Sequence, residues 1–290
     1  MARTTGDVML VIAWFDAHRR DLPWRAPDVT PWGVLVSECM LQQTQVDRVV
    51  PRWQAWMHEW PTPAALAQAP VADVLRAWQG LGYPRRALRL HATACALVDT
   101  WGGQVPESEP DLRALPGVGS YTAAAVSAFA FGRPAVVLDT NIRRVLARAW
   151  TGVAGPKAHQ TRDELQLAAG LIDEHTGAAW SAAVMELGAV VCTARSPHCD
   201  QCPLAHRCAW LAAGRPDNGP VRRAQARFAG SDRQARGALL RAVSAAEGAR
   251  APELARAWAD AEQRERALAG LLADGLVVRT PAGYALPAQH

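Results

Sequence analysis

Four cysteines, Cys192, Cys199, Cys202 and Cys208, fall within seventeen residues in the order C-x6-C-x2-C-x5-C. Thiolates bind metals, and four of them on one short stretch make up most of a metal cage before any folding is invoked. Disulfides would need an oxidising compartment. No secretory leader is read, because the apolar run Met9–Phe15 is short, follows Asp7 and stops at Asp16. Zinc sites usually join two separated C-x2-C pairs, whereas here one pair is tight and two gaps are uneven. On spacing alone zinc and an iron–sulfur cluster stand level.

Two carboxylates also sit where carboxylates are unusual. Glu38 interrupts the apolar runs Val34–Val36 and Cys39–Leu41 on a predicted helix. An ionised carboxylate there is costly to bury unless paired, and desolvation favours its protonated form. A proton-bearing carboxyl facing a pocket suits cleavage of a glycosidic bond whose leaving group must be protonated; the plain alternative is a helix-face Glu reaching solvent. Asp139 follows the extended run Ala135–Leu138 and precedes a helix starting near Asn141, so its ordinary role is an N-cap. A carboxylate beside an anomeric carbon can also stabilise an oxocarbenium ion or trap it, and both roles fit one residue.

These groups need a scaffold, and the chain of 290 residues, half of them hydrophobic, is large enough for two or three domains with real cores. No apolar stretch approaches the ~20 residues of a membrane span. Upstream of residue 213 almost every segment reads as helix: Gly33–Val50, Ala64–Gln79, Arg85–Thr100, Thr122–Phe131, Ile142–Trp150 and His159–His175 carry apolar residues three and four apart. Leu115-Pro-Gly-Val-Gly-Ser-Tyr-Thr-Ala123 lies between two of them. Its glycines Gly117 and Gly119 allow a turn whose N–H groups converge at a helix start and bind an anion. The net charge is +4, yet Arg215–Arg241 alone holds seven Arg against two Asp, with Pro and Gly between, and reads as a basic linker able to touch phosphates. Beyond it, Gln234–Ala246, Pro252–Ala257 and Glu262–Asp274 read as short helices, followed by a hairpin over Leu276–Leu286. That is a winged-helix pattern, which serves in DNA binding or in protein docking.

The turn LPGVGxYTA resembles the helix-hairpin-helix element by which base-excision glycosylases grip a DNA phosphate. With Ser37-Glu-Cys-Met-Leu-Gln-Gln-Thr-Gln-Val46, Leu81-Gly-Tyr83, Asp139-Thr-Asn141, Met185-Glu-Leu-Gly188 and the cysteine spacing, the chain resembles MutY-type adenine DNA glycosylases from about Leu22 to Cys208. The resemblance implies a mainly α, helix-hairpin-helix DNA glycosylase fold: two α-helical lobes with a [4Fe–4S] loop, plus a small C-terminal winged-helix-like module. It implies a catalytic region over 1–212, with a six-helix lobe at about 30–138 and an iron–sulfur lobe made of the N-terminal segment and 139–212. A basic linker at 213–233 and the winged-helix-like domain at 234–290 complete the expected organisation.

The same resemblance implies the site. Glu38 is the general acid that protonates N7 of adenine, Asp139 stabilises the sugar cation, and Tyr121 and Asn141 support them. Trp24, Arg25 and Glu186 belong to the adenine pocket; by themselves they read as a core Trp, a surface Arg and a capping Glu. Gln42, Gln43, Thr44, Leu81 and Tyr83 enter the duplex and contact the opposite base, and Gly117 and Gly119 hold the backbone phosphate. An apolar or aromatic wedge fills the gap that a flipped base leaves, although Leu81 and Tyr83 also suit helix-end packing. Cys192, Cys199, Cys202 and Cys208 ligate a [4Fe–4S] cluster, while Cys39 and Cys95 lie on apolar helix faces as buried thiols. The expected partner is double-stranded DNA containing A:8-oxoguanine or A:G mispairs, acted on by a cytoplasmic, nucleoid-associated monomer with no membrane partner.

The expected activity is removal of the mispaired adenine by monofunctional hydrolysis. Bifunctional relatives place a Schiff-base lysine where Tyr121 stands, and the whole sequence has a single lysine, Lys157. The alternatives are an endonuclease III-like or thymine-mismatch glycosylase, against which the missing lysine, Glu38 and LQQTQV count, and a non-catalytic iron–sulfur DNA-binding protein, which would not need both carboxylates. The chain departs from the family in three places. The roughly 80 residues after Cys208 do not read as the Nudix-like domain found in many members, Asp139-Thr-Asn replaces the commoner Asp-Gly-Asn, and Pro84 follows Leu-Gly-Tyr.

Overall fold

A computed structural model describes residues 2–220, 227–245 and 248–288. In chain order its helices are α1 (Ala2–His18), α2 (Pro31–Leu41), α3 (Val46–Glu59), α4 (Pro63–Ala67), α5 (Val71–Ala77) and α6 (Arg85–Trp101). They continue as α7 (Glu109–Ala114), α8 (Ser120–Phe131), α9 (Thr140–Thr151), α10 (Arg162–Ala169), α11 (Gly177–Val190) and α12 (Ala209–Ala212). The C-terminal part adds α13 (Asp232–Ala245), α14 (Ala251–Ala257), α15 (Ala261–Ala273) and the antiparallel pair β1 (Val278–Thr280) and β2 (Gly283–Ala285). The fold is mainly α, as the helical periodicity predicts, and none of the described helices is long and apolar enough to cross a membrane.

Two compact units make up the chain. Unit 1 comprises Met1–Val34, Glu107–Ala114 and Val118–Arg223; unit 2 comprises Leu35–Pro106, Leu115–Gly117 and Ala224–His290. The six-helix lobe expected at about 30–138 is divided between the two units. Residues 118–138 group with the cysteine-bearing part because α8 packs on α7 and α11, and the C-terminal module groups with residues 35–106 because α13 packs on α5. In unit 1, Val8, Val11 and Phe15 of α1 join Trp180, Val184 and Leu187 of α11 and Ile142, Val145 and Leu146 of α9 in one buried cluster. Asp7 and Arg207, 200 residues apart, are paired at 2.5 Å beside it.

Unit 2 is built round tryptophans: Trp56 meets Trp60 edge-on at 4.6 Å and Trp78 at 5.5 Å. The C-terminal module has its own core of Leu239, Val243, Leu254, Leu271 and Leu276. It is tied to the preceding helices by Arg76 Nε donating to Ser244 O and by Asp274, which pairs with both Arg85 (3.2 Å) and Arg236 (2.5 Å). Arg236 thus belongs to this clamp and not to the flexible basic arm read from Arg215 onward; Arg222 and Arg223 of that arm lie outside the described residues. The third helix and wing fall where the hydrophobic pattern puts them, with Asp260 capping α15 through Gln263 N.

Three corrections concern the helices. The single helix expected over Gly33–Val50 is two, α2 and α3, parted by a turn in which Gln43 adopts a left-handed φ of 55°. Nothing in LQQTQ is a Gly or Pro, so the apolar periodicity ran through the break. The segment Ala64–Gln79 also divides, at Pro70, which lacks the N–H to continue α4 and instead starts α5. Helix α10 covers only Arg162–Ala169 of the expected His159–His175, set at its start by a Thr161–Glu164 capping box. Helices α1 and α11 went unread, their apolar residues being too dense for a clear stripe.

Candidate active site and iron–sulfur loop

Asp139, in unit 1, is the N-cap of α9, and both carboxylate oxygens are held. Oδ1 accepts from Ile142 N at 2.6 Å and Oδ2 from Asn141 Nδ2 at 2.8 Å. Burial pushes its pKa up, against the pull of these donors and of the Arg144 charge. Asn141 is fixed in turn, since its Oδ1 accepts from Arg144 Nη2 at 2.8 Å. The same buried guanidinium donates to Gly188 O at 2.6 Å and, through Nε, to Cys192 O at 2.6 Å. Arg144, which sequence reasoning missed, therefore links the Asp139 cap, α11 and the first cysteine of the metal loop. Gly188 permits this closeness: a Cβ there would lie 2.7 Å from both Asn141 Cβ and Asn141 O.

Tyr121 is half-buried in the first turn of α8, which begins at Gly119; that glycine is exposed and extended. Trp24 is buried in a short 3-10 turn, Pro23–Arg25. Glu186 is not a helix cap but the hub of an ion-pair cluster. Arg20 reaches it through its backbone N (3.1 Å), Nε (2.7 Å) and Nη2 (2.9 Å), and Arg25 through Nη2 (2.9 Å). These donors outweigh burial and hold the Glu186 carboxyl down at about 2. Arg25 also lies 5.3 Å over the Phe15 ring. Arg20 was not anticipated; its only signal was the cluster of cations just ahead of Trp24.

The four loop cysteines of unit 1 are half-buried, free of disulfides, and line one cavity with Arg148, Val191, Pro197, His198 and Trp210. Among the described residues no group of three or more His, Cys, Asp or Glu is placed to hold a metal ion. Burial, followed by the neighbouring thiols, pushes Cys202 up to about 11. Thiols so reluctant to ionise alone become ligands when cationic metal supplies the compensating charge, and the donor set fits an iron–sulfur cluster. Arg148, buried and stacked 4.4 Å over Trp210, shapes the loop by donating to Cys192 Sγ, Thr193 O and Ala194 O. It faces the sulfurs with a positive charge, a third residue the sequence did not single out.

Unit 2 carries Glu38, 5% exposed in α2 between the fully buried Ser37 and the buried Cys39. Burial, with Glu38 adding, pushes the Cys39 thiol up to about 12, so Cys39 stays a neutral packing group; Cys95 is half-buried beside His91. At the end of α2, Gln43 is exposed, with Gln42 and Thr44 half-buried. Thr44 Oγ1 donates to Leu81 O at 2.9 Å, joining this turn to the loop before α6. In that loop Tyr83 is exposed and has a left-handed φ of 47°. The Leu81 side chain is 3% exposed, which suits helix-end packing, and its carbonyl accepts from Thr44 Oγ1. Arg86 binds both segments, donating to Cys39 O (2.8 Å), Met40 O (3.0 Å), Thr44 Oγ1 (3.0 Å), Leu81 O (3.0 Å) and Gly82 O (3.1 Å). Gly117, at φ 77°, lies so near α6 that a Cβ would strike Arg89 Cβ at 2.7 Å.

Comparison with known proteins places the chain in a family. Residues 36–169 match the HhH-GPD superfamily of base excision DNA repair proteins, and residues 192–208, which run from the first loop cysteine to the last, match the iron–sulfur binding domain of endonuclease III. An adenine DNA glycosylase of Mycobacterium tuberculosis is 51% identical over 96% of this chain and 93% of its own length. Another, of Mycolicibacterium smegmatis, is 51% identical over 94% and 93%. A thermostable thymine-DNA glycosylase structure superposes with a TM-score of 0.65 at 25% identity, covering 73% of this chain and 98% of that one. Zinc is thereby set aside and the cofactor is an iron–sulfur cluster. With identity extending over nearly its whole length, the chain belongs to the adenine DNA glycosylases, helix-hairpin-helix proteins of base excision DNA repair.

Proposed function

We propose that this glycosylase removes adenine paired with 8-oxoguanine or guanine by hydrolysis alone, leaving an abasic site. Glu38 delivers its proton to N7 of adenine, the N9–C1′ bonding pair departs with the base, and the electron deficiency at C1′ is met by the Asp139 carboxylate. Water then adds at C1′ and releases one proton, which the Glu38 carboxylate takes back. Asn141 and Tyr121 assist; Trp24, Arg25 and Glu186 shape the base pocket, with Glu186 acting through the arginines it binds. Gln42, Gln43, Thr44 and Tyr83 meet the opposite base, Leu81 backs them from the core, and Gly117 and Gly119 receive a phosphate.

The observation that carries this reading is the Asp139 cap, whose two oxygens are fixed by Ile142 N and Asn141 Nδ2 so that the carboxylate is aimed and cannot swing. A lysine-dependent strand cut is left out because Tyr121 holds the position a Schiff-base lysine would need, and the chain's one lysine is Lys157. When bound to Cys192, Cys199, Cys202 and Cys208, a [4Fe–4S] cluster would brace the loop that Arg144 and Arg148 contact. The winged-helix-like domain at 234–290 serves as a docking module on residues 35–106 more than as a DNA reader. Its third helix has Arg264 donating to Trp258 O and Ala259 O, and Arg266 paired with Asp232 at 3.5 Å. Base release from duplexes carrying A, T, U or an oxidised pyrimidine against G and 8-oxoguanine tests the proposal. Adenine alone should be released, and release of thymine or of nicked product would overturn it.

A further inference from the structure

Two short segments of unit 2 share a peculiarity. The turn after α2 and the loop before α6 each place one non-glycine residue in the left-handed region, Gln43 at φ 55° and Tyr83 at φ 47°. Such a backbone is strained and persists only where its surroundings over-determine it. Here they do so through one side chain. Arg86 is 8% exposed and supplies five hydrogen bonds, two to the carbonyls that end α2, one to Thr44 and two to Leu81 and Gly82. Its plane lies 5.3 Å from the Trp78 ring and 5.6 Å from the Tyr83 ring. Thr44 closes the circuit by donating to Leu81 O, and Trp78 Nε1 donates to Gly82 O at 3.0 Å.

We propose that Arg86 is a positioning residue for opposite-base recognition: a single guanidinium, touching no DNA itself, that locks the Gln42–Thr44 turn and the Leu81–Tyr83 loop together as one rigid reader. The inference rests on the reading that these two segments contact the base opposite adenine. The acceptors, spread over two segments, are met by the two terminal nitrogens of one planar guanidinium, while its Nε makes no hydrogen bond among the described residues. A lysine ammonium is a point charge with three donors and cannot serve them together. The exposed Tyr83 ring is held by the same plane, so the left-handed residue and the wedge it presents are set at once.

The test is Arg86→Lys, read by hydrogen–deuterium exchange and by single-turnover adenine release from A:8-oxoguanine and A:G duplexes at subsaturating enzyme. We expect exchange at amides 42–45 and 81–83 to rise at least tenfold and the 8-oxoguanine-to-guanine rate ratio to fall at least tenfold. A loss falling equally on both duplexes would mean general damage near Glu38 and would overturn the proposal, as would unchanged exchange. Loosened loops with an intact ratio would overturn it too, and Gln43→Ala and Tyr83→Ala then decide why. If those variants lower the ratio, only Arg86 was misjudged; if they do not, the reading of the loops fails with it. Should Arg86→Lys not fold, the wild-type protein suffices: the two segments should open to exchange at one common rate, and two unrelated rates would sink the idea.

Discussion

Asp139 stands at the entrance of a helix and Glu38 near the middle of one, each in a different unit. Around Asp139 every group is spoken for: Ile142 N, Asn141 and Arg144 form a chain of donors ending at Cys192 O. Glu38 is itself 5% exposed, on a helix whose Leu35, Val36 and Met40 are fully buried. An aimed, multiply bonded carboxylate suits a group that must keep its charge facing a cation, while burial, which favours the protonated form, suits a group that must give up a proton. Buried arginines repeat the contrast. Arg144 fixes the carboxylate cap, whereas Arg86 fixes the loops that follow Glu38.

The contrast breaks most cleanly at the carboxylates. Glu38→Gln should lower single-turnover adenine release by roughly a hundred- to ten-thousandfold, because an amide supplies no proton, while affinity for the mismatched duplex stays nearly intact. Asp139→Asn keeps the cap hydrogen bond to Ile142 N, so it should fold normally and lose activity just as deeply. An Asp139→Asn enzyme retaining more than a tenth of the wild-type rate, a barrier change under about 1.4 kcal/mol, would reduce that residue to a cap.

A smaller effect sharpens how tightly the cap is held. Gly188→Ala forces a methyl group onto Asn141, 2.7 Å from its Cβ and carbonyl oxygen, in a well-packed place. Overpacking of this kind costs about 1 to 3 kcal/mol, and thermal unfolding should show it. Adenine release should fall in step as Asn141 is pushed off Asp139, and an unaltered rate would show that the cap tolerates displacement.

The smallest effect concerns acid. Glu186 sits at about 2 in the folded protein against an ordinary 4.5, so folding favours its ionised form. That contribution is full above about pH 4.5 and disappears as the pH falls towards 2. Allowing for the partial exposure of Arg20, it amounts to about 2 kcal/mol. Glu186→Gln should therefore melt earlier than wild type at pH 7, and the gap should close on acidification; a gap constant with pH would assign the loss to packing.

Much of this was legible from motifs because the chemistry requires particular residues close together in sequence: four cysteines in seventeen positions, a cap with its asparagine two residues on, a glycine turn before a helix. The arginines were not legible. Arg20, Arg86, Arg144 and Arg148 act on carbonyls and carboxylates mostly tens of residues away, and a sequence does not display which carbonyl a guanidinium will find. The α2–α3 break escaped for a related reason, since the left-handed Gln43 is held by tertiary bonds from Arg86 and not by its own propensity. Leu81 carried two readings in the sequence, a wedge and helix-end packing, and its buried side chain suits the second.

Both units are sewn from distant parts of the chain, and this bears on how the protein is made. Helix α1 presents Val8, Val11 and Phe15 to partners in α9 and α11, and α5 waits for α13, whose Ser244 lies 168 residues beyond Arg76. During synthesis at about 5–20 residues per second, each early half stays without its completing half for many seconds. Apolar residues of the N-terminal helix and the tryptophan lobe are then open to non-native association. Folding of either unit should finish only near the end of translation, and circular permutants that bring α13 beside α5 in sequence should shorten the wait.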